Sequence, residues 1–143
     1  MVEISTEFLT EVTMWWAGHW NAPERAVDRI PEFTQSGRTR FDYLVGTLGT
    51  KLIDSSAERK WGQFEVTLTA LVSDVRFHVF RDHHDAAHAS LSLTEFTLLQ
   101  VGYRLKTRDC WKEFRKELLA ILLDPTTDDQ HVRRCIKRHF DRP

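Results

Sequence analysis

The densest group of side chains suited to chemistry lies between residues 77 and 88. His84 and His88 are four residues apart, so on a helix their imidazoles share one face. This is the spacing by which one helix offers two ligands to a transition metal, and Asp85 lies beside them as a third donor. The spacing therefore predicts a site for a divalent transition metal at these three residues, and the sequence indicates no other cofactor. Four of the seven histidines and two aspartates make up the whole group: His78, Asp82, His83, His84, Asp85 and His88.

A metal-dependent hydrolase built on this group needs further ligands from other helices, for which the candidates are His19, Asp109 and His131. The zinc-protease motif is not present, since Asp85 follows His84 where that motif has glutamate. Histidines and aspartates four residues apart also pair on ordinary helix surfaces, which is the simpler interpretation. The sequence contains no phosphate loop, dinucleotide fingerprint or serine elbow, and it predicts no cysteine–histidine relay.

An excess of positive charge in residues 101–143 is the second signal. These residues hold 11 Lys/Arg and 7 Asp/Glu, a net charge of +4, whereas residues 1–100 hold 9 and 14, a net charge of −5. Clustered cations on one helix face are typical of phosphate contact with nucleic acid. Basic residues near a helix C-terminus also stabilise the helix dipole, which needs no partner. The candidate nucleic-acid residues, all on the predicted last helix, are Arg133, Arg134, Lys137 and Arg138.

Tryptophans concentrate in the predicted first helix, residues 5–20. Trp15, Trp16 and Trp20 lie on or beside its apolar face, together with further aromatic and aliphatic residues. Aromatic stripes usually pack into a core. Tryptophan is also enriched at protein-binding hot spots, so these three residues are the candidate contact surface for a protein partner.

Composition bounds the class of protein. Of the 143 residues, 41% are hydrophobic and 29% are charged, which is typical of one globular domain spanning residues 1–143. Only six glycines and four prolines argue against a turn-rich β fold. The start of the chain has no signal-peptide pattern, and the longest apolar run, residues 118–123, is too short to span a bilayer. We therefore expect a cytoplasmic protein, away from membranes, with Cys110 and Cys135 as free thiols in its core.

The apolar spacing predicts an all-α fold, a compact single-domain bundle of five to seven helices around a central helix at about residues 56–85. The opposite side of that helix carries Val66, Ala70 and Phe77, so we expect it to be buried between two layers of partners. The main apolar stripe consists of Trp61, Phe64, Leu68, Leu71, Val72, Val75 and Val79.

Capping residues and helix breakers bound the predicted elements. Ser55 and Glu58 form a capping box before the central helix, and Ser92 and Glu95 form another after a connection at residues 86–91. The other helices are expected at residues 5–20, 22–30, 36–54 and 109–123 and from about residue 126 onward, with Asp109 and then Thr126 or Thr127 as caps and Pro125 between the last two.

A β-hairpin over residues 64–81 is the alternative to the central helix, because apolar and polar residues also alternate there. Its turn would be Ser73-Asp74, whereas two-residue hairpins strongly favour Asn-Gly or Asp-Gly. Leu71 also breaks the alternation, so the helix is favoured. On that helix Glu65 faces away from the apolar stripe, and we expect its replacement by alanine to cost less than about 0.5 kcal/mol.

These observations favour a non-enzymatic small cytoplasmic helical protein that binds another macromolecule as an adaptor, an inhibitor or a small subunit of an assembly. The aromatic excess, the charge asymmetry and the lack of a catalytic motif support this interpretation. Two alternatives stay open. One is a metal-dependent hydrolase that uses the group at residues 78–88, and the other is a nucleic-acid-associated helical subunit that uses the basic last helix.

Overall fold

The computed structural model describes residues 60–143, apart from residue 79. In this part of the chain there are four α-helices and a two-stranded antiparallel sheet, so the expected helical class is confirmed there, with fewer helices than the five to seven predicted for the whole chain. The predicted helices at residues 5–20, 22–30 and 36–54 and the Ser55–Glu58 capping box lie outside the described residues. The elements are α1 (Trp61–His78), α2 (His83–Gln100), β1 (Arg104–Leu105), α3 (Cys110–Leu123), α4 (Asp129–His139) and β2 (Phe140–Asp141).

Residues 61–78 are helical, so the hairpin alternative is wrong and Ser73-Asp74 is not a turn. The predicted central helix at residues 56–85 is also wrong in extent, because α1 ends at His78. Asp82 then caps a separate helix, since its side chain accepts hydrogen bonds from the backbone N–H groups of His84 and Asp85. Of the predicted apolar stripe, Trp61 is half-buried, Val79 lies outside the described residues, and the five residues from Phe64 to Val75 are buried as predicted. Val66, Ala70 and Phe77 on the other side are exposed rather than packed.

The helix buried on most of its surface is α2, and the predicted connection at residues 86–91 lies inside it. Its buried residues include small alanines, serines and threonines spread over several faces, so it lacks the apolar period that would have marked it as a helix. Ser90 Oγ donates to the carbonyl of Val72 over 3.3 Å, which shows how closely α1 and α2 approach. Ser92 is therefore a buried interior residue, and its predicted role in a capping box with Glu95 is wrong.

The last two helices follow the predicted pattern more closely. Asp109 occupies the position before α3, although its side chain makes no capping hydrogen bond, and α3 ends at Leu123, just before Pro125. Asp128, rather than Thr126 or Thr127, caps α4 in a capping box completed by His131. Most core residues predicted for this region are buried, whereas Trp111 and Ile121 are half-buried. Cys110 and Cys135 are buried free thiols. The buried apolar layer consists of Phe114, Leu118, Leu122, Val132, Cys135, Ile136 and Phe140.

The four helices surround one apolar core. α1 packs against α2 and α4, α2 packs against α3, and α3 packs against α4. The short sheet pairs Arg104 with Asp141 and Leu105 with Phe140, which brings the segment after α2 beside the end of α4. Among the described residues, none of the helices combines the length and the apolar character that a membrane crossing requires.

Glu65 is buried, contrary to the expectation that it faces solvent. Its side chain is 2% exposed and accepts two hydrogen bonds from Arg142, from Nε over 2.6 Å and from an η nitrogen over 2.9 Å. Tyr103 Oη donates to the same carboxylate over 2.9 Å. Burial by itself raises the pKa of Glu65, but the hydrogen bonds from Arg142 and Tyr103 and the charge of Arg142 outweigh it and hold the pKa below its ordinary value. The C-terminal segment is thereby tied to the first described helix.

We expect Glu65→Ala to destabilise the protein by about 1–3 kcal/mol, because it leaves the buried Tyr103 hydroxyl without its acceptor. Glu113→Ala, a change of the same type at an exposed position of α3, should cost less than about 0.5 kcal/mol. Urea denaturation of the two variants measures the difference. Equal effects at the two positions would contradict the burial of Glu65.

The same network predicts a pH dependence. Because the folded state lowers the pKa of Glu65, its contribution to stability is complete above the ordinary value of 4.5 and is lost as the pH falls through the lower, folded-state pKa. Glu65→Gln should therefore flatten the fall in the free energy of unfolding below about pH 4.5. A wild-type and a variant curve with the same slope in that range would show that Glu65 does not titrate as the structure indicates.

Candidate functional site

The predicted metal ligands lie together in the first turns of α2. His84 Nε2 and His88 Nε2 are 3.3 Å apart, and the two rings are tilted at 52° to each other. Two nitrogens that bind one tetrahedral zinc at about 2.0–2.1 Å are separated by roughly this distance. The same spacing suits a hydrogen bond between two neutral imidazoles. The structure thus brings the two histidines into chelating range, as the i, i+4 spacing predicted.

Two carboxylates lie close to His84. Ligand atoms of Asp82, His84 and Asp85 lie within 4.8 Å of one another, and His84 Nδ1 is 4.0 Å from Asp85. Asp82 is absent from the predicted set, and its first role is to cap α2. Asp82, His84 and Asp85 all lie at the start of α2, and the side chain of His84 is mostly exposed. In the described part of the chain, these three residues therefore form a cluster on the surface.

The other histidines near this cluster have different surroundings. His83 stacks on Phe77, with ring centroids 6.4 Å apart, and its Nε2 lies 3.2 Å from the carbonyl oxygen of Leu123. His131, suggested above as a distant ligand, completes the capping box of α4 with Asp128. His19 lies outside the described residues. Among the described residues, the group of possible metal ligands at His84 contains only donors from this helix start, whereas a buried hydrolase centre needs ligands from a second helix.

Three of the four candidate basic residues of α4 lie on its solvent side, as predicted. Arg134, Lys137 and Arg138 are exposed and Arg133 is half-buried. Arg138 forms an ion pair with Glu117 of α3, so part of the charge that would meet a phosphate is already neutralised within the protein. The predicted partner-binding residues Trp15, Trp16 and Trp20 lie outside the described residues.

A cleft opens where the C-terminal half of α1 meets the start of α4. It has a volume of about 430 Å³ and is lined by Ser73, Phe77 and residues 127–130. Beside the cleft, the guanidinium of buried Arg76 donates to the carbonyls of Thr127, over 3.2 Å, and of Asp124. Ser73 Oγ donates to Asp129 across the cleft. These contacts fix the loop between α3 and α4 against α1.

Phe77 is the large apolar side chain at the edge of this cleft, and it is 47% exposed. The Arg76 guanidinium lies 4.5 Å from its ring centroid, and His83 stacks on the ring. The ring is therefore held in place while much of its surface faces solvent. Sequence periodicity had placed Phe77 in a buried second layer.

A cysteine–histidine contact, which the sequence did not predict, lies between α3 and α4. Cys110 Sγ is 2.7 Å from His139 Nδ1, and His139 Nε2 is 2.5 Å from a carboxylate oxygen of Glu117. Burial, with help from the charges of Arg138 and Lys106, lowers the pKa of His139, and Glu113 opposes that shift. The cysteine and the histidine are 29 positions apart, so no local spacing could have revealed the pair.

Comparisons of the chain with protein-family models, with curated proteins and with solved structures find no match.

The 3.3 Å spacing of the two histidines predicts that added zinc binds at about one ion per chain through His84 and His88. Calorimetric titration of zinc into wild-type protein measures the stoichiometry. The double substitution His84→Ala and His88→Ala should remove this binding, because neither carboxylate alone replaces an imidazole pair. His78→Ala, a nearby exposed histidine, is the control and should leave it intact. Zinc binding with unchanged affinity and stoichiometry after the double substitution would exclude this site.

Proposed function

We propose that this chain is a non-enzymatic small cytoplasmic helical protein that binds a protein partner, as an adaptor, an inhibitor or a small subunit of an assembly. The observation that carries the proposal is the exposure of Phe77 beside the cleft between α1 and α4. Exposed aromatic side chains next to a concave surface are typical of binding hot spots. The contact surface with the partner is then Phe77, rather than the tryptophans at positions 15, 16 and 20 that the sequence predicts.

The fixed position of the Phe77 ring favours its use as an anchor. A side chain that is already held before binding loses less conformational freedom when a partner covers it. Arg76, which lies against the ring, is held in place by its hydrogen bonds to the loop between α3 and α4. His83, which stacks on the ring, is held by its contact with the carbonyl of Leu123. The cleft is therefore largely formed before any partner arrives.

Charge defines the partner that suits this cleft. Asp128 and Asp129 line it, and Asp124 lies exposed in the same loop. A partner segment that places an apolar side chain on Phe77 and a lysine or arginine beside it would match both features. This is an acidic, partly apolar surface, which repels nucleic-acid phosphates.

The metal-dependent hydrolase is a second candidate function, supported by the chelating distance between His84 and His88. That pair lies on the surface of one helix, and a hydrolase would need ligands contributed by residues outside 60–143. A nucleic-acid role would use Arg133, Arg134, Lys137 and Arg138, with Arg138 first released from Glu117. The cleft at Phe77 supports the protein-binding proposal more directly than either.

The proposal predicts that Phe77 contacts the partner in the cell. A photoreactive phenylalanine analogue placed at position 77 should give one discrete cross-linked product in intact source cells. The same analogue at position 99 should give none. Leu99 is the matched control, because it is also a large apolar residue and is 45% exposed. It lies 16 residues along α2 from His83, the residue that stacks on Phe77, which is a distance of roughly 24 Å.

Purified partner identified in this way then tests the energetics. By calorimetry, Phe77→Ala should weaken binding by about 30-fold, the effect of losing a hot spot of about 2 kcal/mol, and Leu99→Ala should leave affinity unchanged. Cross-linking of equal strength at both positions, or equal affinities for the two variants, would overturn the assignment of this surface.

A further inference from the structure

The contact between Cys110, His139 and Glu117 is distinct from the cleft at Phe77 and from the surface histidines. Cys110 is the first residue of α3, His139 is the last residue of α4, and Glu117 lies two turns further along α3. The three side chains are in contact one after the other: Cys110 Sγ is 2.7 Å from His139 Nδ1, and His139 Nε2 is 2.5 Å from the Glu117 carboxylate. We propose that Cys110 is a reactive thiol that small hydroperoxides oxidise to a sulfenic acid, with His139 as proton acceptor and Glu117 as the residue that orients it.

Glu117 determines which nitrogen of His139 faces the thiol. A carboxylate accepts hydrogen bonds, so the nitrogen beside it, Nε2, carries the imidazole proton. Nδ1 then has a free lone pair directed at the Cys110 S–H group. Arg138 pairs with the other oxygen of Glu117, which favours the ionised carboxylate. The arrangement is that of a nucleophile, a base and an orienting acid.

The protonation state of His139 suits a base. Burial is the main cause that lowers its pKa, with Arg138 and Lys106 acting in the same direction, and this favours the neutral imidazole. The ring is also held in place by packing, because Phe114 meets it edge-on with centroids 5.9 Å apart. A neutral imidazole with a fixed tautomer can accept the thiol proton without first losing one of its own.

The position of Cys110 favours the thiolate that results. The N-terminal end of a helix carries partial positive charge from its unpaired backbone N–H groups, and a thiolate there is stabilised. The Asp109 side chain makes no capping hydrogen bond at this helix start, so it does not compete for those groups. Cys110 is about 9% exposed, which admits a small oxidant but not a peptide-sized substrate.

The proposed reaction is a two-electron transfer from sulfur to the peroxide. As His139 Nδ1 takes the thiol proton, the Cys110 sulfur attacks one peroxide oxygen, an S–O bond forms and the O–O bond breaks. The departing hydroxide or alkoxide receives the proton held by His139, leaving as water or alcohol. Cys110 is oxidised to sulfenic acid, the hydroperoxide is reduced, and His139 returns to its neutral form.

Cys135 provides an internal control within the same pair of helices. It is fully buried, and burial raises its pKa to about 12. A thiol in that state is a poor nucleophile, because the thiolate is the reactive form. The proposal therefore predicts that one of two buried cysteines reacts while the other does not.

The test treats the full-length protein with hydrogen peroxide and traps sulfenic acid with dimedone, followed by mass spectrometry of each cysteine. Cys110 should be trapped roughly 10- to 100-fold faster than Cys135 or a cysteine peptide. Glu117→Gln should slow trapping several-fold, whereas Glu113→Gln, which removes a charge that acts on His139 without a hydrogen bond to it, should have a smaller effect. Trapping at Cys110 no faster than in the peptide, or equal effects of the two glutamine variants, would overturn the proposal.

Two further measurements separate this site from other roles of the same residues. Glu117, Cys135 and His139 also place ligand atoms within 4.8 Å of one another, so zinc content and zinc protection of Cys110 are measured first. One zinc per chain in the purified protein, with Cys110 protected from oxidation, would make the group a metal site and overturn the proposal.

At pH 7, iodoacetamide should alkylate Cys110 in wild-type protein roughly 10-fold faster than Cys135. Alkylation of the two cysteines at equal rates would also overturn the proposal.

Discussion

The ion pair between Glu65 and Arg142 is the interaction on which the described part of the fold depends. A buried carboxylate requires compensation, and here both of its oxygens accept hydrogen bonds from one guanidinium that reaches in from near the chain end. Tyr103 supplies the third bond. The turn that directs Tyr103 inward needs Gly102, which has a positive φ of 97° and has Pro143 against it. Three distant segments are thereby fixed at one carboxylate.

This junction also sets the position of the thiol site. With the end of the chain held at α1, the two-residue sheet forms beside it, and the backbone N–H of Lys106 donates to the His139 carbonyl over 2.9 Å. The last turn of α4 is therefore held against the start of α3, where Cys110 lies. The contact between sulfur and imidazole follows from this docking rather than from any feature local to α3 or α4 alone.

The sequence predicts those helices and side-chain pairs that depend on residues close together in the chain, and it does not predict those that depend on tertiary packing. α3 and α4 have clear apolar periods and breakers, so their core residues and approximate ends were predictable. α2 was not, because a helix buried on several faces by small residues has no amphipathic period. The helical period places Glu65 away from the apolar stripe and so predicts exposure, whereas the contacts of Tyr103 and Arg142 with it come from distant parts of the chain. The His84–His88 pair, four residues apart, was predictable, whereas the Cys110–His139 pair depends on tertiary packing.

Helix α4 separates two chemically different ends. Its first turn contributes Asp128 and Asp129 to the cleft beside Phe77, and its last residue, His139, contacts Cys110. An 11-residue helix places these ends roughly 15 Å apart. The acidic groups at the N-terminal end and the basic groups at the C-terminal end both suit the helix dipole, so the charge gradient costs no stability. Because screening at physiological ionic strength acts over about 8 Å, the charges of the cleft have little influence on the imidazole at the other end. The two ends are therefore free to serve independent roles on one rigid element.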